Sequence, residues 1–132
     1  MQGQRFPQPR EVLRELTDGR EFAGHVVTTV FQEQADAYGA HDPVPQLLVF
    51  ETSVVEGFLD RVTQVQLALY AEGPSAALQV LEAILAEVCG VGITTSAGYI
   101  DSISVVQGAT EAPYTERLNR GSALLQVVSR PI

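Results

Sequence analysis

The chain has 132 residues, of which 45% are hydrophobic and 18% charged, with a formal net charge of −8. That length fits one domain able to bury roughly two thirds of its unfolded surface, and the composition excludes a disordered chain. The acidic balance excludes a dedicated nucleic-acid binder, which needs a cationic stripe to displace counterions. The single cysteine, Cys89, leaves no disulfide to form within the chain. No stretch of signal-peptide type opens the sequence, and none approaches the ~20 apolar residues of a membrane span. Synthesis and folding in a reducing cytoplasm are therefore expected.

In chain order, residues 1–7 read as a loose arm. Pro9 begins a short helix to Thr17, in which Val12, Leu13 and Leu16 keep helical spacing and face a core. Asp18-Gly19 stops it, with Gly free to take the left-handed cap. Residues 24–31 are β-branched and predict a strand containing His25. Residues 32–45 predict a long polar loop, and long loops in compact domains are often binding loops. Residues 46–51 predict a second strand, and 52–59 a turn.

The run Arg61–Ala71 alternates clearly. Val65, Leu67, Leu69 and Ala71 share one face, and Gln64, Gln66 and Tyr70 the other, which is the period of a half-buried strand. Gly73-Pro74-Ser75 then signals a helix start. Ala77, Leu81, Ile84 and Val88 recur at spacings of four, three and four, with Gln79, Glu82 and Glu87 on the wet side. An amphipathic strand feeding an amphipathic helix predicts that the helix covers the apolar face of the sheet. Residues 91–98 predict a Gly/Thr/Ser loop, 99–107 a strand, 108–120 a second long loop, and 121–130 a last strand. The expected fold is α+β: a mostly antiparallel sheet of four to five strands with two helices packed on one face, forming one domain over residues 1–132.

Chemistry does not converge anywhere. Gly90-Val91-Gly92 follows a helix and not a strand, the wrong context for a dinucleotide loop. His25 and His41 are far apart in sequence and belong to no metal-spaced cluster. Cys89 stands at a helix C-terminus, where the dipole disfavours a thiolate, and reads as a small core residue. The sixteen carboxylates are scattered, and no cofactor, metal or catalytic residue is assigned. All eight basic residues are Arg, whose planar fork suits interfaces; a GC-rich genome would produce the same bias. Tyr70 and Tyr99 read as partly buried sheet residues, while Tyr38 and Tyr114 stand in the long loops.

The order of elements carries a resemblance over nearly the whole chain. A Pro-x-x-Val-Leu helix (Pro9–Leu13) precedes a strand pair, then come Arg61–Ala71, the Ala- and Leu-rich helix Ala76–Val88, and another strand. A loop with Ala112-Pro113-Tyr114-Thr115 follows, and the last strand ends in Val127-Val128-Ser129-Arg130-Pro131. This pattern resembles the tail terminator proteins of long-tailed bacteriophages and their neck and tail-completion relatives. The resemblance implies a virion structural protein, made in the host cytoplasm, that forms a ring with copies of itself, commonly a hexamer. Such a ring caps the tail tube, contacts tube and neck or head-completion proteins, and lets DNA pass through its lumen. An acidic lumen would let DNA slide without sticking. The family carries no catalytic residues. Interface candidates are Tyr38, His41 and Asp42 in the first long loop and Tyr114, Arg117 and Arg120 in the second. Two alternatives stand beside it: a head–tail stopper or tube subunit, and a small trimeric enzyme or ligand-binding domain whose inter-subunit site would use His25, Arg61 or Arg117.

Overall fold

The computed structural model describes residues 6–31, 45–56, 60–73, 75–114 and 118–130. The chain begins with helix α1 (Pro9–Thr17), followed by short strands β1 (Glu21–Phe22), β2 (His25–Val26) and β3 (Thr28–Val30). Next come β4 (Gln46–Glu56), β5 (Arg61–Glu72), α2 (Ala76–Val88), β6 (Gly90–Thr95), β7 (Gly98–Pro113) and β8 (Leu118–Ser129). Six strands form one sheet in the order β3-β4-β5-β8-β7-β6, and β1 and β2 form a separate two-stranded hairpin. Only β3 and β4 run parallel; the other pairs in the large sheet are antiparallel. The architecture is thus α+β with a mixed six-stranded sheet, wider than expected.

The core explains the architecture. On one face of the sheet, Leu47 and Val49 of β4, Val65, Leu67 and Leu69 of β5, and Ala123, Leu125 and Val127 of β8 are buried. They form one cluster with Val12 and Leu13 of α1 and with Ala77, Val80, Leu81, Ile84, Leu85 and Val88 of α2. Neither helix is long enough to be stable alone in water, so burial against the sheet holds both. Gly121 of β8 sits where α2 comes closest: a Cβ there would lie 3.2 Å from the Ala77 carbonyl oxygen and 3.2 Å from Leu81 Cδ2.

The ends of α1 are tied to the rest by side chains. The Thr17 hydroxyl donates to the Leu13 carbonyl at 2.7 Å and lies 2.7 Å from the Thr29 hydroxyl. A hydroxyl has one proton, so the Thr29 hydroxyl donates to Thr17. The Thr29 amide donates to Asp18 Oδ1 at 2.9 Å, which fixes the sheet's first edge against the end of the helix. Gly19 at φ +72° makes the turn after it.

Several expectations need correction. The strand expected over 24–31 is broken: His25–Val26 pairs with β1, whereas Thr28–Val30 joins the large sheet. The turn expected over 52–59 is strand through Glu56. The loop expected over 91–98 is largely β6, and the second long loop over 108–120 is mostly the ends of β7 and β8. Phe6 and Pro7 are not loose but buried, with the Arg61 guanidinium 4.3 Å from the Phe6 ring centroid. The long loop expected over 32–45 falls, save Pro45, outside the described residues.

Candidate functional site

No described helix lies over the opposite face of the sheet. Register defines what that face presents, because residues paired across antiparallel strands point to the same side. At one end, Gln46, Tyr70, Arg120 and Ala112 form a row across β4, β5, β8 and β7. The next rows are Leu48–Ala68–Ser122–Thr110 and Phe50–Gln66–Leu124–Gln107. Then comes Ser53–Gln64–Gln126–Ser104. At the far end, Val55, Val62, Val128 and Ser102 line up, and the row continues to Val91 of β6.

Charge divides the molecule. Arg120 is the single charged residue in those five rows, and no carboxylate occupies a position in them. The helix side, by contrast, exposes Glu11, Glu15, Glu82 and Glu87. A surface of amides, hydroxyls and valines with a single charge at one end is cheap to remove from water compared with one bearing many carboxylates. The valine row is also exposed at its two ends, Val55 at 65% and Val91 at 82%.

Of the interface candidates, Tyr114 and Arg120 are brought together around Tyr70. Tyr114 meets the Tyr70 ring edge-on, with centroids 4.8 Å apart and planes at 68°. The Arg120 guanidinium lies 5.7 Å from the same ring. Tyr70 is fully buried, in a small cluster with Leu48, Ala68 and Leu118. Tyr114 therefore closes one end of the face and remains partly exposed, and its amide donates to the Leu118 carbonyl at 3.0 Å. Arg120 stands in strand β8, not in a loop. Tyr38, His41, Asp42 and Arg117 lie outside the described residues. Tyr99, expected to be partly buried, is instead 48% exposed.

Of the residues named for an inter-subunit ligand site, His25 and Arg61 are described and Arg117 is not. His25 is exposed on β2, beside a small depression of about 100 Å³ lined also by Pro45, Ala71, Glu72 and Ala76. Arg61 packs on Phe6. Among the described residues no group of three His, Cys, Asp or Glu is placed to hold a metal ion. Cys89 is half-buried against the core, and burial pushes its thiol above the ordinary value, the direction that makes a cysteine inert.

Sequence reasoning missed two features. The first is Glu111 of β7, whose carboxylate accepts the amides of Ser75 (2.9 Å) and Leu78 (3.1 Å) at the start of α2. Ser75, at φ +69°, makes no side-chain cap of its own, so a residue 36 positions away supplies it. Asn119 of β8 completes the joint, donating to Glu111 at 2.7 Å and to the Gly73 carbonyl at 3.0 Å. The second is the valine row, since residues 55, 62, 91 and 128 have no sequence relation until the register is known. Among the described residues no helix is long and apolar enough to cross a membrane. No known protein-family profile matches the sequence, and no curated protein matches it either.

Proposed function

We propose that this chain is a ring-forming tail terminator, a virion structural protein that caps the tail tube of a long-tailed bacteriophage and joins the tail to the head or neck. The observation that carries the reading is the asymmetry of the sheet. A neutral face with exposed valines suits contact with other subunits, and a helix-covered side rich in glutamate suits water. The order of elements that resembles the tail terminators supports the same reading. Net charge of −8 supports a lumen through which DNA slides without sticking, since like charges repel across a water-filled channel.

The test is assembly. Purified protein mixed with tail tubes should form a single ring at one tube end, visible by electron microscopy, and should sediment as a closed oligomer. Many stacked rings would instead identify a tube subunit. A strict monomer that ignores tubes would remove the reading altogether.

A further inference from the structure

The flanking strands cover only part of their neighbours. β3 pairs with β4 at Gln46–Leu48, and among the described residues no strand pairs with the outer edge of β4 beyond Leu48. β6 pairs with β7 as far as Ile103, and no described strand pairs with the outer edge of β7 beyond it. Among the described residues the sheet thus has two unpaired edge segments on opposite flanks, and each carries two adjacent exposed valines. Val54 and Val55 are 47% and 65% exposed, and Val105 and Val106 are both 45% exposed.

We propose that the ring closes by joining these two edges: the β4 edge at Val54–Val55 of one copy meets the β7 edge at Val105–Val106 of the next. The inference rests on the ring reading above. Three observations select a second copy as the occupant. A ring needs a head-to-tail contact between two different surfaces, and the two valine pairs are such surfaces on opposite flanks of the sheet order. Strand direction fits, because β4, β5, β8 and β7 alternate in direction; β4 of one copy therefore runs antiparallel to β7 of an identically oriented neighbour, the more stable pairing. Charge also permits it: from Ser102 to Thr110 the β7 edge has no charged residue, so it sets no like charge against an acidic β4 edge.

The two edges are also staggered. Val105 lies in the row of Leu125, Val65 and Glu51, whereas Val55 lies in the row of Val62. The valine pairs are thus offset by three residues along β5, or about 10 Å at ~3.3 Å per residue. A stagger of this kind is compatible with strands that tilt against a ring axis, as they do in closed sheets. Register irregularities at Glu51/Ser53 on β4 and at Val105/Gln107 on β7 bend both edges locally. They discourage flat pairing with arbitrary strands and leave the valines as the centre of contact.

Cysteine trapping tests the joint. In a Cys89→Ala background, Val55→Cys combined with Val106→Cys should, on mild oxidation, give a covalent ladder that ends at the ring size, while neither single variant gives one. Val55→Asp should raise the protein concentration needed for assembly by about tenfold or more, with the circular dichroism melt unchanged because the side chain is exposed. If the native chain forms rings but the double variant gives no ladder and Val55→Asp assembles normally, the edge assignment is wrong and the ring stands. If the native chain stays monomeric with and without tubes, the ring reading and the joint fall together.

Discussion

On one side of β5, Val65, Leu67 and Leu69 are sealed beneath the helices; one residue along, on the other side, Gln64 and Gln66 remain partly open. The same backbone, with the same hydrogen bonds, separates a face that builds the main core from one that is buried only around Tyr70. The difference teaches that stability in this protein is one-sided. The helix face holds the larger of the two buried clusters, so it carries most of the hydrophobic stabilisation. Away from the buried cluster of Leu48, Ala68, Tyr70 and Leu118, substitutions on the opposite face should cost little. Substitution in adjacent positions measures this most directly. Leu67→Ala should cost about 2–5 kcal/mol by lost burial and the cavity left behind. Gln66→Ala should stay within about 0.5 kcal/mol. Urea unfolding of both variants checks the pair, and similar losses would abolish the distinction between the faces.

A smaller change sharpens the same contrast. Gly121→Ala adds one methyl between β8 and α2, 3.2 Å from both the Ala77 carbonyl oxygen and Leu81 Cδ2. The backbone carbonyl cannot rotate away, so the sheet and helix must part slightly, at a cost of about 1–3 kcal/mol. Ser122→Ala, one position on and on the uncovered side, should leave the melting temperature almost where it was.

What could be read from the sequence follows the same division. α1, α2 and β5 announce themselves because each has one buried and one wet face, and that difference writes a period into the residues. Both helix spans and the strand at 61–72 emerge close to expectation. β6 and the far half of β7 do not, because most of their residues are exposed on both sides. With no buried face there is no alternation, and Gly90, Gly92, Gly108 and Pro113 read as loop. Backbone pairing of β6 with β7, and of the far half of β7 with β8, holds these segments extended, and that is set by context more than by the segments' own residues. The neutral face was partly legible in the alternating glutamines of β5. Its valine row was not, since it is assembled from four strands.

The joint between the β7–β8 ribbon and α2 offers a third measure. Glu111→Ala removes the acceptor for the Ser75 and Leu78 amides and the partner of Asn119. Loss of a cap costs about 1 kcal/mol, within a range of roughly 0.5–2. Glu111→Gln keeps a carbonyl acceptor but loses the charge that suits a helix N-terminus, so it should fall between wild type and Glu111→Ala. Amide exchange at the first turn of α2 is the local readout. Equal protection in all three proteins would mean that packing alone holds the helix start.

The smallest expected effect lies at the other helix. Glu15 of α1 accepts the Ser96 amide at 2.9 Å, joining the helix to the turn between β6 and β7. Hydrogen bonding, from Ser96 first and then Thr95 and Ala97, holds its carboxyl below the ordinary value of 4.5. A depressed value in the folded state means that the unfolded chain takes up the proton first as pH falls. The contribution of Glu15 is therefore fully present above its ordinary value and is lost as pH drops through the lower, folded one. Full exposure to water keeps it small. In Glu15→Gln, the decline of melting temperature on the acid side should be slightly shallower than in the native chain, with the two curves differing most at neutral pH. Parallel curves from neutral pH down through that window would show that the Ser96 contact ties α1 to the β6–β7 turn without favouring the ionised carboxylate, and would leave the acid response to the other carboxylates of the helix side.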